Sequence, residues 1–134
     1  IEEYEKGETV EEIQELKDYK FLKKNYKFEV LNLEVPIVIE LNNKPVACGR
    51  LDQVLMINNQ IGLSDIKTTA TLDKEYLACQ LNLYRIGYRQ TYGIEAEFLK
   101  AIHLKNGKRK FVDIPVNENM AWDLIHKYLE VENE

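Results

Sequence analysis

At 134 residues the chain is the length of one domain, enough to bury a real core but not two. A composition of 45% apolar and 31% charged residues, with no low-complexity tract, excludes fibrous and disordered classes. No apolar run approaches the ~20 residues of a membrane span, no signal-peptide pattern is visible, and a net charge of -5 argues against indiscriminate nucleic-acid binding.

The charge is unevenly spread. Residues 1–35 hold 10 acids and 6 bases, and residues 118–134 hold 5 acids and 1 base, whereas residues 36–117 hold 8 acids and 11 bases. Within that middle, "LKAIHLKNGKRK" (99–110) has five bases and no acid. Such a strip suits a phosphate track, though lysines also commonly guard an exposed sheet edge. The two cysteines, Cys48 and Cys79, form no close-spaced motif and are expected as small buried hydrophobes, which fits a reducing cytoplasm. The sequence starts at Ile1 rather than methionine, so an upstream segment is expected.

Taken in chain order, "ETVEEIQELKDYKFLKKNY" reads as a helix. Thr9 and Glu12 form a capping box, and Val10, Ile13, Leu16 and Phe21 or Leu22 form its apolar stripe. Leu31, Leu33, Val35, Ile37, Ile39 and Leu41 then alternate with mostly polar residues as a long strand ending at "NNK". A second strand is expected from about Val46 to Ile57 and a third from about Ile61 to Thr68. A helix follows over "LDKEYLACQLNLYRIGYRQTY", with Gly93 as its C-cap. "EAEFLKAIHLKNGKRKFVDIPV" is a hairpin about Asn106-Gly107. A last helix spans "NENMAWDLIHKYLE", with Asn117 as N-cap and Met120, Leu124 and Tyr128 on one face. This order predicts an α/β domain around a central mixed sheet of about five strands flanked by helices.

One stretch breaks the apolar rule for strands. "GRLDQVLMINNQIGLSDIKTT" carries Asp52, Asp65 and Lys67 where a buried hairpin would hold apolar residues. If the turn is Asn58-Asn59, Ile57 pairs with Gln60, and counting back places Asp52 opposite Asp65 with Lys67 on the same face. A loop two residues longer would pair Asp52 with Lys67 instead, and the three side chains would still cluster. Facing like charges are destabilising, so something must offset them. Lys67 could do part of this as a structural ion pair. A hard divalent cation would do it better, leaving the lysine to orient water or neutralise charge on a phosphate.

Three short motifs accompany the carboxylates: "GRLD" (49–52), "SDIKT" (64–68) and "QLNLY" (80–84), in this order on strand, strand and helix. Together they resemble the GxxD, DxK and QxxxY motifs of the PD-(D/E)XK nuclease superfamily, RecB-type and phage-associated exonuclease branch, over roughly residues 1 to 116. The resemblance implies a restriction-endonuclease-like core and a nuclease, an exonuclease by expectation, of phage recombination or repair type. It implies that Asp52 and Asp65, with the Ile66 backbone carbonyl, ligate Mg2+ or Mn2+, and that Lys67 is the catalytic lysine. Gln80 and Tyr84 would contact DNA near the scissile phosphate or buttress the site. Lys108, Arg109 and Lys110 would bind DNA backbone, and Glu34 matches an accessory glutamate, or is simply the polar side of its strand. Tyr76 and Tyr88 extend the Gln80/Tyr84 row by one turn each and could stack bases or seal the helix against the sheet.

The implied partner is DNA, as double-stranded ends or a single strand, with no membrane and the oligomeric state open. This branch typically carries a further metal ligand, a histidine, on a helix well before GxxD; here it would lie upstream of Ile1. His103 and His126 follow QxxxY and cannot fill that place, and the four-cysteine signature of an iron–sulfur cluster is absent from the sequence. The alternative reading is a non-catalytic nucleic-acid or protein-binding module that keeps the nuclease fold.

Overall fold

Three asparagine-led turns shape the sheet. Asn42-Asn43, Asn58-Asn59 and Asn106-Gly107 all have positive φ at both residues, the conformation that joins antiparallel strands through a two-residue turn. In a computed structural model, which describes residues 1–8 and 13–132, these turns link β1 (Glu29–Leu41) to β2 (Lys44–Ile57), β2 to β3 (Gln60–Lys67), and β4 (Phe98–Lys105) to β5 (Lys108–Ile114). The strands lie in sequence order, antiparallel throughout except that β3 runs parallel to β4. A parallel pair needs a crossover, and the helix Lys74–Tyr92 between β3 and β4 provides it. Numbered in chain order, the helices are α1 (Glu2–Glu5), α2 (Gln14–Tyr26), α3 (Lys74–Tyr92) and α4 (Glu118–Glu132). The result is the expected α/β fold: a five-stranded mixed sheet flanked by helices, matching the restriction-endonuclease-like core.

Each face of the sheet carries its own core. On one side Leu77, Leu81 and Ile86 of α3 and Ala121 and Ile125 of α4 pack on Ile37, Ile39, Leu63, Leu99 and Ala101. On the other, Leu16, Tyr19 and Leu22 of α2 pack on Phe28, Leu55, Ile102 and Leu104. Helix α3 comes close to β1 because Gly87 lacks a side chain; a Cβ there would lie 2.4 Å from Ile37 Cδ1. Asp73 caps its N-terminus through a bond from Tyr76 N–H at 3.1 Å, and Gly93 (φ 73°) ends it as expected.

Several expectations are corrected. Helix α2 begins at Gln14; of its expected stripe Leu16 and Leu22 are buried, Ile13 and Phe21 are exposed and Tyr19 fills the gap. Val10 and the Thr9/Glu12 capping box lie outside the described residues and are neither met nor corrected. Helix α1 had no periodic signal, being only four residues long. Helix α4 buries Ala121 and Ile125 and leaves Leu124 and Tyr128 about half exposed, because the small Ala121 lets it approach α3. Glu118 at its start is held by both Arg89 guanidinium nitrogens, each at 2.8 Å, and by Arg85. Cys48 is exposed and Cys79 half-buried, not core hydrophobes. Cys48 pairs with exposed Val38 on the face of the β1–β2 hairpin turned from α3, and α2 lies instead over β4 and β5. Among the described residues no helix is long and apolar enough to cross a membrane.

Candidate active site

The Asn58-Asn59 turn pairs Ile57 with Gln60, and the ladder runs back in that register to Gln53↔Ser64. One step further, Asp52 and Asp65 come face to face as the short turn requires. Here the two strands part. The register would next pair Ile66 with Leu51, but the Ile66 N–H donates instead to Asp52 Oδ2 at 2.9 Å. In an extended strand the N–H and C=O of one residue project to the same edge, so the Ile66 carbonyl turns toward Asp52 as well.

The parting coincides with a change of face in β1 and β2. Gln53 bonds to Tyr19 on the α2 side, whereas Leu51, two residues away, joins the core on the α3 side. Two residues apart on a regular strand would share a face. Across from Asp52, Glu34 takes φ 47°, a left-handed conformation unusual for a residue with a long side chain. The change of face therefore falls in both strands around Glu34 and Asp52, while their mutual register runs on unbroken from Leu33↔Gln53 to Val35↔Leu51. Glu34 is exposed, lies 3.8 Å from Arg50, and borders a cavity of about 170 Å³ together with Glu2, Leu33, Asp52, Gln53 and Ile66. It is thus not merely the polar side of a regular strand.

The electrostatics of the carboxylate pair are unbalanced. Asp65 is buried, 4% exposed, and Asp52 is half-buried. Burial, then the hydrogen bond to Asp65 and its charge, push Asp52 up to about 7, against the opposing pull of the Ile66 N–H and Lys67. Lys67 Nζ lies 2.9 Å from Asp65 Oδ2, yet among the described residues that oxygen accepts no hydrogen bond of proper geometry. Burial alone would lower Lys67, but its contact with Asp65 and the charges of Asp65 and Asp52 outweigh that and hold it above its ordinary value. A buried carboxylate oxygen with an open lone pair beside a second carboxylate fits a hard divalent cation, which accepts two carboxylates, a carbonyl and waters. Among the described residues no three His, Cys, Asp or Glu side chains converge as a metal-binding group, so two carboxylates are all that converge here.

A second polar array, fully paired, backs this site from the α2 side. Ser64 Oγ donates to Gln53 Oε1 at 3.0 Å, Gln53 Nε2 donates to Tyr19 Oη at 2.9 Å, and Tyr19 Oη donates to Glu5 Oε2. Lys23 Nζ closes the chain on Glu5 at 2.6 and 2.9 Å. Tyr19, Gln53 and Ser64 are each 1% exposed or less. Sequence reasoning did not find this relay, although the register that opposes Asp52 and Asp65 also pairs Gln53 with Ser64. A polar pair in otherwise apolar strands was the available signal.

The motif on α3 closes the site from above. Gln80 Nε2 donates to Tyr84 Oη at 3.2 Å, while Gln80 Oε1 is buried without a partner among the described residues. The Tyr84 ring lies against Gly49, where a Cβ would stand 3.0 Å from Tyr84 Cε1. The glycine of "GRLD" is therefore the seat of the tyrosine of "QLNLY". Burial raises the Tyr84 hydroxyl above its usual range, and the charges of Asp65 and Asp52 add to this, placing it within their field.

The basic strip does not stay together. Arg109 turns to the α2 face, stacks 3.4 Å over the Phe21 ring and lies 3.7 Å from Asp18. Lys108 and Lys110, on the alternate face of β5, are exposed. Lys110 pairs with His103, which in turn pairs with Lys67, so these three form a row across the sheet. His103 is buried, with Nε2 2.7 Å from Thr69 O, and His126 is exposed on α4.

No family profile and no curated protein matches the sequence. Solved structures do. SSO0001 superposes with a TM-score of 0.57 at 21% identity, covering 87% of this chain and 57% of the other. A provisionally described exonuclease of Eubacterium rectale superposes with a TM-score of 0.56 at 13% identity, covering 86% of this chain and 51% of the other. The chain thus spans a little over half the length of these relatives. Fold and comparisons agree on a restriction-endonuclease-like architecture.

Proposed function

We propose that this chain is the core of a divalent-metal-dependent deoxyribonuclease of the RecB-type and phage-associated branch, acting at DNA ends in recombination or repair. The observation that supports it is the pairing of half-buried Asp52 with buried Asp65, which leaves an open carboxylate oxygen beside Lys67. Structural ion pairs are normally saturated; this one leaves acceptor capacity where a cation would be needed. Asp52, Asp65 and the Ile66 carbonyl would hold Mg2+ or Mn2+, which when bound supplies charge neutralisation on the phosphodiester and an acidified water. Lys67, fixed beside Asp65, places its ammonium where negative charge develops on the phosphate. Tyr84, within the field of Asp65 and Asp52, and Gln80, bonded to it, would position the strand. Lys110, in the row with Lys67, extends the positive surface toward the sheet edge.

A non-catalytic binding module is the second reading, and the want of a third convergent ligand among the described residues favours it. One assay separates the two. End-labelled linear DNA and covalently closed circular DNA are incubated with the protein in Mn2+ or in EDTA. Loss of label from linear DNA in Mn2+ alone supports the exonuclease; binding without cleavage of either substrate, unchanged by Asp65→Asn, supports the module.

A further inference from the structure

Of the two tyrosines that extend the Gln80/Tyr84 row, Tyr88 is buried, 5% exposed, with its ring against Tyr92, and seals α3 onto the sheet. Tyr76 is 62% exposed and belongs to neither core cluster. We infer that Tyr76 is a stacking platform for an unpaired nucleobase next to the scissile phosphate, so that the substrate enters the site as a single strand. This inference rests on the nuclease reading and names its substrate class.

Three observations converge on it. Tyr76 stands between two depressions and lines both. The first, about 320 Å³, holds Lys67, Thr69, Thr71, Leu72 and Leu77. The second, about 630 Å³, runs along α3 past Cys79, Gln80, Leu83 and Tyr84 to Leu124 of α4. Lys67 and Tyr76 line that first depression together, so ring and catalytic lysine are neighbours. Finally, the two compartments differ in charge. Lys67 is the charged group of the first beside the shared Asp73, whereas the charged liners of the second are Asp73 and Glu75. A phosphate is attracted to Lys67 and repelled from the acidic groove. A base, uncharged, with apolar faces and hydrogen-bond donors on its edge, suits the groove.

A strand seated this way puts its phosphate at Lys67 and the adjoining base across Tyr76, with Leu83 and Leu124 as apolar walls. In a duplex that base is stacked and paired, and reaching the tyrosine would require unpairing it. A free single strand has no such penalty, and every base has a face to offer. The exposed ring is therefore a device for accepting any single-stranded end, not for reading sequence.

The test uses the 134-residue chain with single-stranded DNA carrying 2-aminopurine at successive positions from one end, in Ca2+ in place of Mg2+ to hold the complex uncleaved. Stacking predicts that fluorescence is quenched at one position only, that Tyr76→Ala abolishes the quench, and that Tyr76→Phe retains it. In Mn2+ the same Tyr76→Ala change should raise KM for single strands by about tenfold, with Tyr76→Phe near wild type. A blunt duplex should show neither the quench nor the KM change. If wild type cleaves single strands but Tyr76→Ala leaves both quench and KM unaltered, the stacking assignment is overturned while the nuclease reading stands. If wild type neither binds nor cleaves any DNA, the nuclease reading itself fails, which these outcomes keep apart.

Discussion

Gln53 and Ser64 meet on one side of the β2–β3 hairpin, and Asp52 and Asp65, one step nearer the strand ends, meet on the other. The first pair is neutral, buried and wholly hydrogen-bonded, and it leads through Tyr19 to Glu5 and Lys23. The second holds two acids at close range, one of them pushed up to about 7 and the other with an open buried oxygen. The same register creates both, so a slip that relieved the acids would also dismantle the relay. A satisfied network thus pins in place a pair that would otherwise separate. That is how a fold can hold an electrostatically unfavourable site ready for a ligand.

The largest effect should come from breaking the satisfied pair. Gln53→Leu leaves Ser64 Oγ without its acceptor and removes a donor from Tyr19, all in a fully buried setting. We expect a loss of about 2–4 kcal/mol in chemical denaturation. If it is no more than a few tenths, the relay is not what fixes the register.

Relaxing the unfavourable pair should do the opposite. Asp52 ionises far higher in the folded chain than in the unfolded one, where a free aspartate titrates near pH 4. Its protonated form therefore favours the fold, and that contribution is whole below about pH 4 and fades as pH rises through about 7. Asp52→Asn should remove this slope and stabilise the metal-free protein at pH 8 by about 1–2 kcal/mol, after allowance for solvent screening at a half-buried site. The gap should close at pH 4. Mn2+ should raise the melting temperature of wild type and not of Asp65→Asn. A metal-free Asp65→Asn protein weakened by several kcal/mol would mark a structural ion pair instead.

What could be read beforehand followed from local rules. The hairpin register was legible because two asparagines permit the two-residue turn, and the end of α3 because Gly93 is a strong C-cap. What escaped depended on tertiary choice. Helix α4 offers two apolar stripes, and the more hydrophobic one lost to the one with Ala121, since close approach to α3 needs a small residue. The face change at Glu34 was invisible because a glutamate at positive φ follows no propensity; the surrounding strands impose it. Arg109 was assigned with its lysine neighbours, although alternation along β5 sends it to the opposite face.

A subtler probe concerns the join between the site and α3. Gly49→Ala would put a methyl 3.0 Å from the Tyr84 ring, tight enough that the ring must shift by a few tenths of an ångström. The backbone at Gly49 is ordinary strand, so no conformational strain adds to this. Stability should change by less than about 1 kcal/mol, whereas nuclease turnover should fall several-fold if Tyr84 must stand where it does. Equal losses in stability and turnover would mean the glycine serves packing alone.

The smallest effect separates the members of the basic strip and sharpens the contrast between a satisfied and an unsatisfied charge. Arg109 already lies over Phe21 near the buried Asp18, so its guanidinium is engaged on the α2 face. Lys110 stands in the row that leads through His103 to Lys67, with its ammonium exposed. If single-stranded DNA follows that row, Lys110→Gln should lower the log–log salt slope of binding by about 0.7, one phosphate contact. Arg109→Gln should leave the slope unchanged and instead cost some stability through the lost stacking on Phe21, about 0.5–1 kcal/mol. The reverse result, with Arg109 carrying the slope, would place the strand on the α2 side of the sheet edge. That would move the DNA path away from Lys67 and from Tyr76, and the site would then have to receive its phosphate from the direction of Glu34 and Glu2.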